Sequence, residues 1–142
     1  MAAVLSPRSR VPALALAGWT LLTWITRVPL FVTDEELGVG EKVLSTLPVA
    51  VFVVLAAVTA VAVLRRLVRG DTAVRALAGW SLAYWAVRLP LILVNDHPVP
   101  FYVVHAVLAL VAAALSILAL ARLSSEGAGP RPAARVGSRS SA

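Results

Sequence analysis

Sixteen residues, Ala15 to Leu30 (ALAGWTLLTWITRVPL), are written a second time as Ala76 to Leu91 (ALAGWSLAYWAVRLPL), and no other feature constrains the fold as strongly. Ten of the sixteen aligned positions are identical, and the two copies hold all four tryptophans of the chain. Trp19 and Trp80, Trp24 and Trp85, Arg27 and Arg88, and Pro29 and Pro90 each stand 61 positions apart. A repeat with this period implies two similar structural units that share one core.

What those units are made of follows from their apolarity. The chain is 60% hydrophobic and 14% charged over 142 residues, with a mean hydropathy of +0.88. Soluble domains run at about 45–50% apolar and about 25% charged. A water-soluble fold of this length could not cover so much apolar surface, so lipid is the expected solvent. The net charge of +6 does not indicate nucleic acid, because the arginines flank hydrophobic runs instead of sharing a polar face. Cysteine is absent, which excludes disulfides, thiolate metal sites and cysteine nucleophiles. Lys42 is the single lysine beside abundant arginine, alanine and valine, a composition that matches GC-rich bacterial coding.

Four apolar runs are long enough to cross a bilayer core of about 30 Å at about 1.5 Å per residue. The expected fold is all-α and integral to the membrane: four transmembrane helices, as two tandem two-helix repeats in the same orientation. A segment at 1–11 precedes the first repeat, 12–67, with helices at about 12–32 and 43–64. The second repeat, 68–123, has helices at about 73–94 and 99–121. Residues 124–142 are rich in Ser, Gly, Pro and Arg without apolar periodicity and read as a disordered basic tail. Gly38-Val39-Gly40 lacks the strand and third glycine of a phosphate-binding turn and reads as loop. Gly70 suits a helix C′ position, with Asp71 or Thr72 capping the following helix. A basic start, an apolar run and Ala15-Leu16-Ala17 also resemble a signal peptide, but the recurrence of ALAGW deep in the chain argues for retention.

Arginine placement predicts orientation. The amino-terminal segment, the loop at 65–75 and the tail are arginine-rich, whereas the loops at 33–42 and 95–98 hold five acids and no arginine. The positive-inside rule then places both termini in the cytoplasm and both acidic loops outside the plasma (inner) membrane. Two units of the same orientation are related by an axis along the membrane normal.

The repeated polar residues are the candidate site. At about 100° per residue, Thr20, Thr23, Trp24 and Arg27 form one stripe, as do Ser81, Tyr84, Trp85 and Arg88. Lipid offers such groups no partners, so the stripes are expected to face other helices. Pro29 and Pro90, if helical, would free the carbonyls of Ile25 and Ala86 and bend the helix ends. His105 belongs to the same depth, and Val49 occupies its place in the first repeat. Arg27, Arg88, His105, Trp24, Trp85, Thr23 and Tyr84 together could bind an anionic lipid or small anionic solute, since arginine forks suit phosphate and tryptophan faces suit guanidinium. The opposing reading pairs Arg27 with Asp34 or Glu35, and Arg88 with Asp96, as structural clamps.

The leading expectation is therefore a structural, accessory or partner-binding membrane protein. Anionic-lipid or solute binding, or transport, is the alternative, and an intramembrane lipid-modifying enzyme is the most remote. The spans contain no carboxylate, so paired-acid catalysis cannot be built within them. His97 and His105 alone lack metal-ligand spacing, and no metal or cofactor is expected. The expected partners are the bilayer, an anionic lipid, and a second copy or another membrane protein. Small residues at Ala56 and Ala60, and at Ala109 and Ala113, have the spacing of close helix contacts.

Overall fold

A segment rich in valine, such as Val49 to Val63, has modest helix propensity in water because β-branched side chains lose rotamers. In hydrocarbon every backbone N–H and C=O must be satisfied within the segment, so such a sequence becomes a helix. The computed structural model describes residues 4–27, 29 and 38–127. The long helices among the described residues are α1 (Pro7–Ile25), α2 (Val39–Leu64), α3 (Gly70–Leu93) and α4 (Val99–Gly127). Three contain stretches long and apolar enough to cross a membrane: Thr46–Leu64, Gly70–Leu93 and Val99–Gly127. Helix α1 is not among them over its described length, since its 19 residues begin with Arg8 and Arg10 in the first turn. Much of the expected span at 26–32 lies outside the described residues, as does the acidic loop at 33–37.

Several boundaries differ from expectation, each for a local reason. Helix α1 begins at Pro7, not near Pro12, with Ser6 extended at the N-cap and proline in the first turn, where its missing N–H costs nothing. It closes at Thr26, whose Oγ1 donates to the carbonyls of Leu22 (3.0 Å) and Thr23 (3.3 Å). Pro29 therefore lies beyond α1, at a position that is helical again after the turn at 26–27, whereas Pro90 is carried inside α3; the position matching Thr26 is Val87, which has no hydroxyl to bond back. Helix α2 starts at Val39, so Val39 and Gly40 are helical instead of loop. The C′ role expected of Gly70 falls to Arg66, at φ 55°. There the Leu67 N–H reaches the Ala62 carbonyl (2.9 Å) and the Arg66 N–H reaches that of Val63 (3.3 Å), the paired bonds of a Schellman ending. Gly70 instead opens α3, packed on the Leu5 side chain at 3.4 Å from where a Cβ would stand. Arg69, not Asp71 or Thr72, is the N-cap residue of α3, and it gives no side-chain cap. Helix α4 extends to Gly127, so residues 124–127 are helical and not tail; residues 128–142 lie outside the described residues.

The helices pack as a ring in chain order. Helix α1 lies against α2 and α4, α3 lies against α4 and α2, and α1 meets α3 only across the diagonal. The loops at 65–69 and 94–98 are too short for anything but antiparallel neighbours. Burial follows the repeat at six positions, Pro12 being buried where its counterpart Ala73 is only partly so. Ser9, Ala13, Leu16, Ala17, Thr20 and Trp24 are buried on α1, and Gly70, Val74, Leu77, Ala78, Ser81 and Trp85, each 61 positions on, are buried on α3. Val49, Ala56 and Val63 of α2 have buried counterparts 56 positions on in His105, Ala112 and Ala119 of α4. Across the α2–α3 seam, the Thr59 hydroxyl donates to the Ala73 carbonyl at 3.1 Å.

A polar tie joins the start of α1 to the last turn of α4. The Glu126 carboxylate accepts hydrogen bonds from the Ser6 and Ser9 hydroxyls and lies 3.5 Å from the Ser6 N–H. A carboxylate from α4 thus serves the free N–H groups and positive dipole end of α1. Glu126→Ala should lower the unfolding temperature in detergent modestly. In combination with Ser6→Ala and Ser9→Ala it should cost less than the sum of the separate effects, because all three groups share one network. Strict additivity in that cycle would show that the tie does not couple the helices.

Candidate functional site

The stripes of α1 and α3 converge on Phe52 of α2. Trp24 stacks on Phe52 with centroids 4.5 Å apart and 11° between planes. Tyr84 stands edge-on to Trp24 (5.3 Å), Phe52 (5.1 Å) and Trp85 (5.7 Å), and Trp80 closes the cluster on Phe52 at 6.1 Å. Offset and edge-to-face pairs of this kind add about 0.5–1.5 kcal/mol each beyond their area burial. Trp24 and Trp85 are 3% and 6% exposed, so both indoles are core packing, and neither offers a face to a ligand. Thr23 is half-buried, and its carbonyl accepts from Thr26.

The cations collect at the end of this cluster nearer the 94–98 loop. Arg27 is half-buried, its guanidinium carbon 5.5 Å from the Trp24 ring centroid, a cation–π contact. Arg88 is exposed. Arg27, Tyr84 and Arg88 lie within electrostatic reach of one another, and both arginines reach His105. Among the described residues, no carboxylate contributes to the field on Arg27, Tyr84 or His105. The proposed clamp of Arg27 by Asp34 or Glu35 falls outside the described residues.

His105 is held from the α4 side. Its Nδ1 lies 2.8 Å from the Phe101 carbonyl, and a carbonyl only accepts, so Nδ1 carries the proton. The Nε2 atom is then an acceptor in the neutral ring and a donor after protonation. Phe101 lies 3.9 Å from the His105 centroid on one side and 4.3 Å from His97 on the other. The Tyr102 hydroxyl fastens the loop beneath them, donating to the Asn95 carbonyl (2.6 Å) and accepting the His97 N–H (3.0 Å). Among the described residues, no cluster of His, Asp or Glu could hold a metal ion.

Arg27, just past the end of α1, Tyr84 and Arg88 of α3 and His105 of α4 therefore share one electrostatic neighbourhood, with Trp24 in contact with Arg27 and Tyr84, and Trp85 in contact with Tyr84. Two participants were not apparent from the repeat. Phe52 lies outside it, and the signal for it is that it is the sole aromatic in the apolar run from Val43 to Leu64. Phe101 could have been found as the residue one helical turn before His105. No protein-family model matches this chain, and neither curated proteins nor solved structures contain a significantly similar one.

Proposed function

We propose that this is a multi-pass protein of the bacterial plasma membrane that binds an anionic lipid head group or small anionic solute through Arg27 and Arg88. In this reading the chain is two tandem two-helix repeats of the same orientation, with α1 and the residues that follow it to about 32 making a fourth span and both termini cytoplasmic. The carrying observation is that half-buried Arg27, 5.5 Å over Trp24, and exposed Arg88, from matching repeat positions, lie within electrostatic reach of each other, of Tyr84 and of His105, with no described carboxylate acting on Arg27. An unpaired guanidinium at the centre of a span costs about 2.5–3.5 kcal/mol on insertion scales, and a phosphate or carboxylate oxygen is a strong bidentate partner for such a group. The matched burial 61 positions apart supports the repeat. Replacement of both arginines by lysine tests the site: an anion held by bidentate contacts is lost, because an ammonium cannot reproduce the fork.

Burial of Trp24 and Trp85 favours a second reading, a structural or partner-binding module whose arginines only complete the packing. In that case the lysine variants should keep both stability and any response to anionic lipid. Orientation is tested by labelling single cysteines from outside intact cells, at Arg69, which is exposed, and at Asp96. Labelling is expected at Asp96 and not at Arg69, and the reverse pattern would invert the topology.

A further inference from the structure

On α3, Trp80, Ala83, Tyr84, Val87, Arg88 and Leu91 line a shallow groove of about 270 Å³. Their spacing of three and four residues places them on one helical face. From Trp80 to Leu91 the groove runs about 16 Å along the axis, at about 1.5 Å per residue. Every lining side chain is apolar or aromatic except Arg88, which stands near the loop end. Trp80 is 37% exposed, with its edge against Phe52, so its ring forms a fixed wall at the far end. Ala83 is the smallest lining residue and leaves the middle of the groove open.

The repeat supplies an internal control. The matching positions in the first copy begin with Trp19, Leu22 and Thr23 on α1 and continue with Thr26 and Arg27 just past its end. Leu22 takes the place of Ala83, and the Arg27 guanidinium turns onto Trp24 instead of outwards. The two copies thus differ at both positions, with alanine and an exposed arginine in the second and leucine and a half-buried arginine in the first. A plain hydrocarbon chain would leave Arg88 without a partner, and a small hydrophilic anion would leave the apolar length unused. A molecule with an anionic head and a long alkyl chain satisfies both.

Building on the anion-binding reading above, we propose that this groove holds one acyl chain of an anionic phospholipid, with the lipid phosphate at Arg88. The occupant is a lipid of the leaflet at the 94–98 end of the bundle, and Trp80, Ala83 and Val87 set its selectivity for a chain.

The test uses the full chain in phosphatidylcholine vesicles containing a minor fraction of phosphatidylglycerol, with bromine placed on the chains of one lipid or the other. Bromine quenches tryptophan on contact, and comparison with Trp80→Phe isolates the Trp80 signal. Brominated phosphatidylglycerol is expected to quench Trp80 several-fold more than the same fraction of brominated phosphatidylcholine. Arg88→Gln should abolish that preference, and Ala83→Leu should reduce it by filling the groove while leaving the fold intact, since leucine already stands at the matching exposed position 22. Equal quenching by the two lipids in the unsubstituted protein would overturn the proposal. Stabilisation by dihexanoyl phosphatidylglycerol separates the two ideas. If the short-chain lipid still protects the protein through Arg27 and Arg88 while quenching is equal, the head site stands and the chain groove falls. If neither effect is seen, both fall.

Discussion

Phe52→Ala is expected to destabilise the protein by about 3–5 kcal/mol, the range for removing a buried aromatic ring. Phe52 is 1% exposed and is the one ring that touches Trp24, Trp80 and Tyr84 together. Its loss opens a cavity between α1, α2 and α3 and breaks three aromatic contacts at once, and the surrounding backbones cannot collapse without giving up helix packing. Phe52→Leu, which installs the residue found at the matching position Leu108, retains most of the volume and should cost much less. Denaturant or thermal unfolding in mild detergent measures both, and near-ultraviolet circular dichroism reports the tryptophan environment. An alanine variant within about 0.5 kcal/mol of the parent would behave as an ordinary surface substitution and would remove Phe52 from the centre of the bundle.

Arg27→Gln with Arg88→Gln is expected to abolish stabilisation by anionic lipid. A ligand at about a hundredfold its dissociation constant stabilises the folded state by about 2.7 kcal/mol, so the loss is large against measurement error. The double variant also loses the Arg27 contact with Trp24, at a cost of about 0.5–1 kcal/mol at an exposed site and about 2 when desolvated. The decisive quantity is therefore the change in stability on adding lipid, compared between parent and variant, and not stability in detergent alone. Each single variant separates the roles. Arg88→Gln should remove most of the lipid response with little intrinsic cost, because its guanidinium is exposed. Arg27→Gln should show both effects. An equal lipid response in parent and double variant would leave the arginines as packing elements.

How far the sequence alone reaches can be traced residue by residue. Apolar runs of about twenty residues in a chain with few charges admit little but helices, because hydrocarbon leaves the backbone no other way to satisfy its hydrogen bonds. The stripe at Thr20, Trp24 and Arg27 followed from 3.6-residue periodicity, and its inward face at Thr20 and Trp24 followed from the absence of polar partners in lipid. The copies could be aligned because substitution spared Trp, Arg and Pro together, and the same positions are buried in both. Helix ends were less legible. Arg66 adopts a left-handed conformation despite its Cβ because the chain must turn between α2 and α3, and Thr26 ends α1 through hydroxyl bonds that compete locally with the helix.

Only tertiary structure decided how two matched stripes came to differ. A helical period identifies which residues share a face, but the neighbour that meets the face is set by packing across the ring. Trp24 and Trp85 are aligned in sequence with a guanidinium one turn away, yet Arg27 lies on its tryptophan and Arg88 turns outwards. Phe52 fills the space beside α1 and α3, whereas His105, where α2 has Val49, shapes the layer beside α4. Exchange of Leu22 for Ala83 is a single change of side-chain volume, silent in any periodicity, and it puts the smallest lining residue into the α3 groove. Periodicity constrains direction along one helix; volumes and partners contributed by the other three decide what that direction contains.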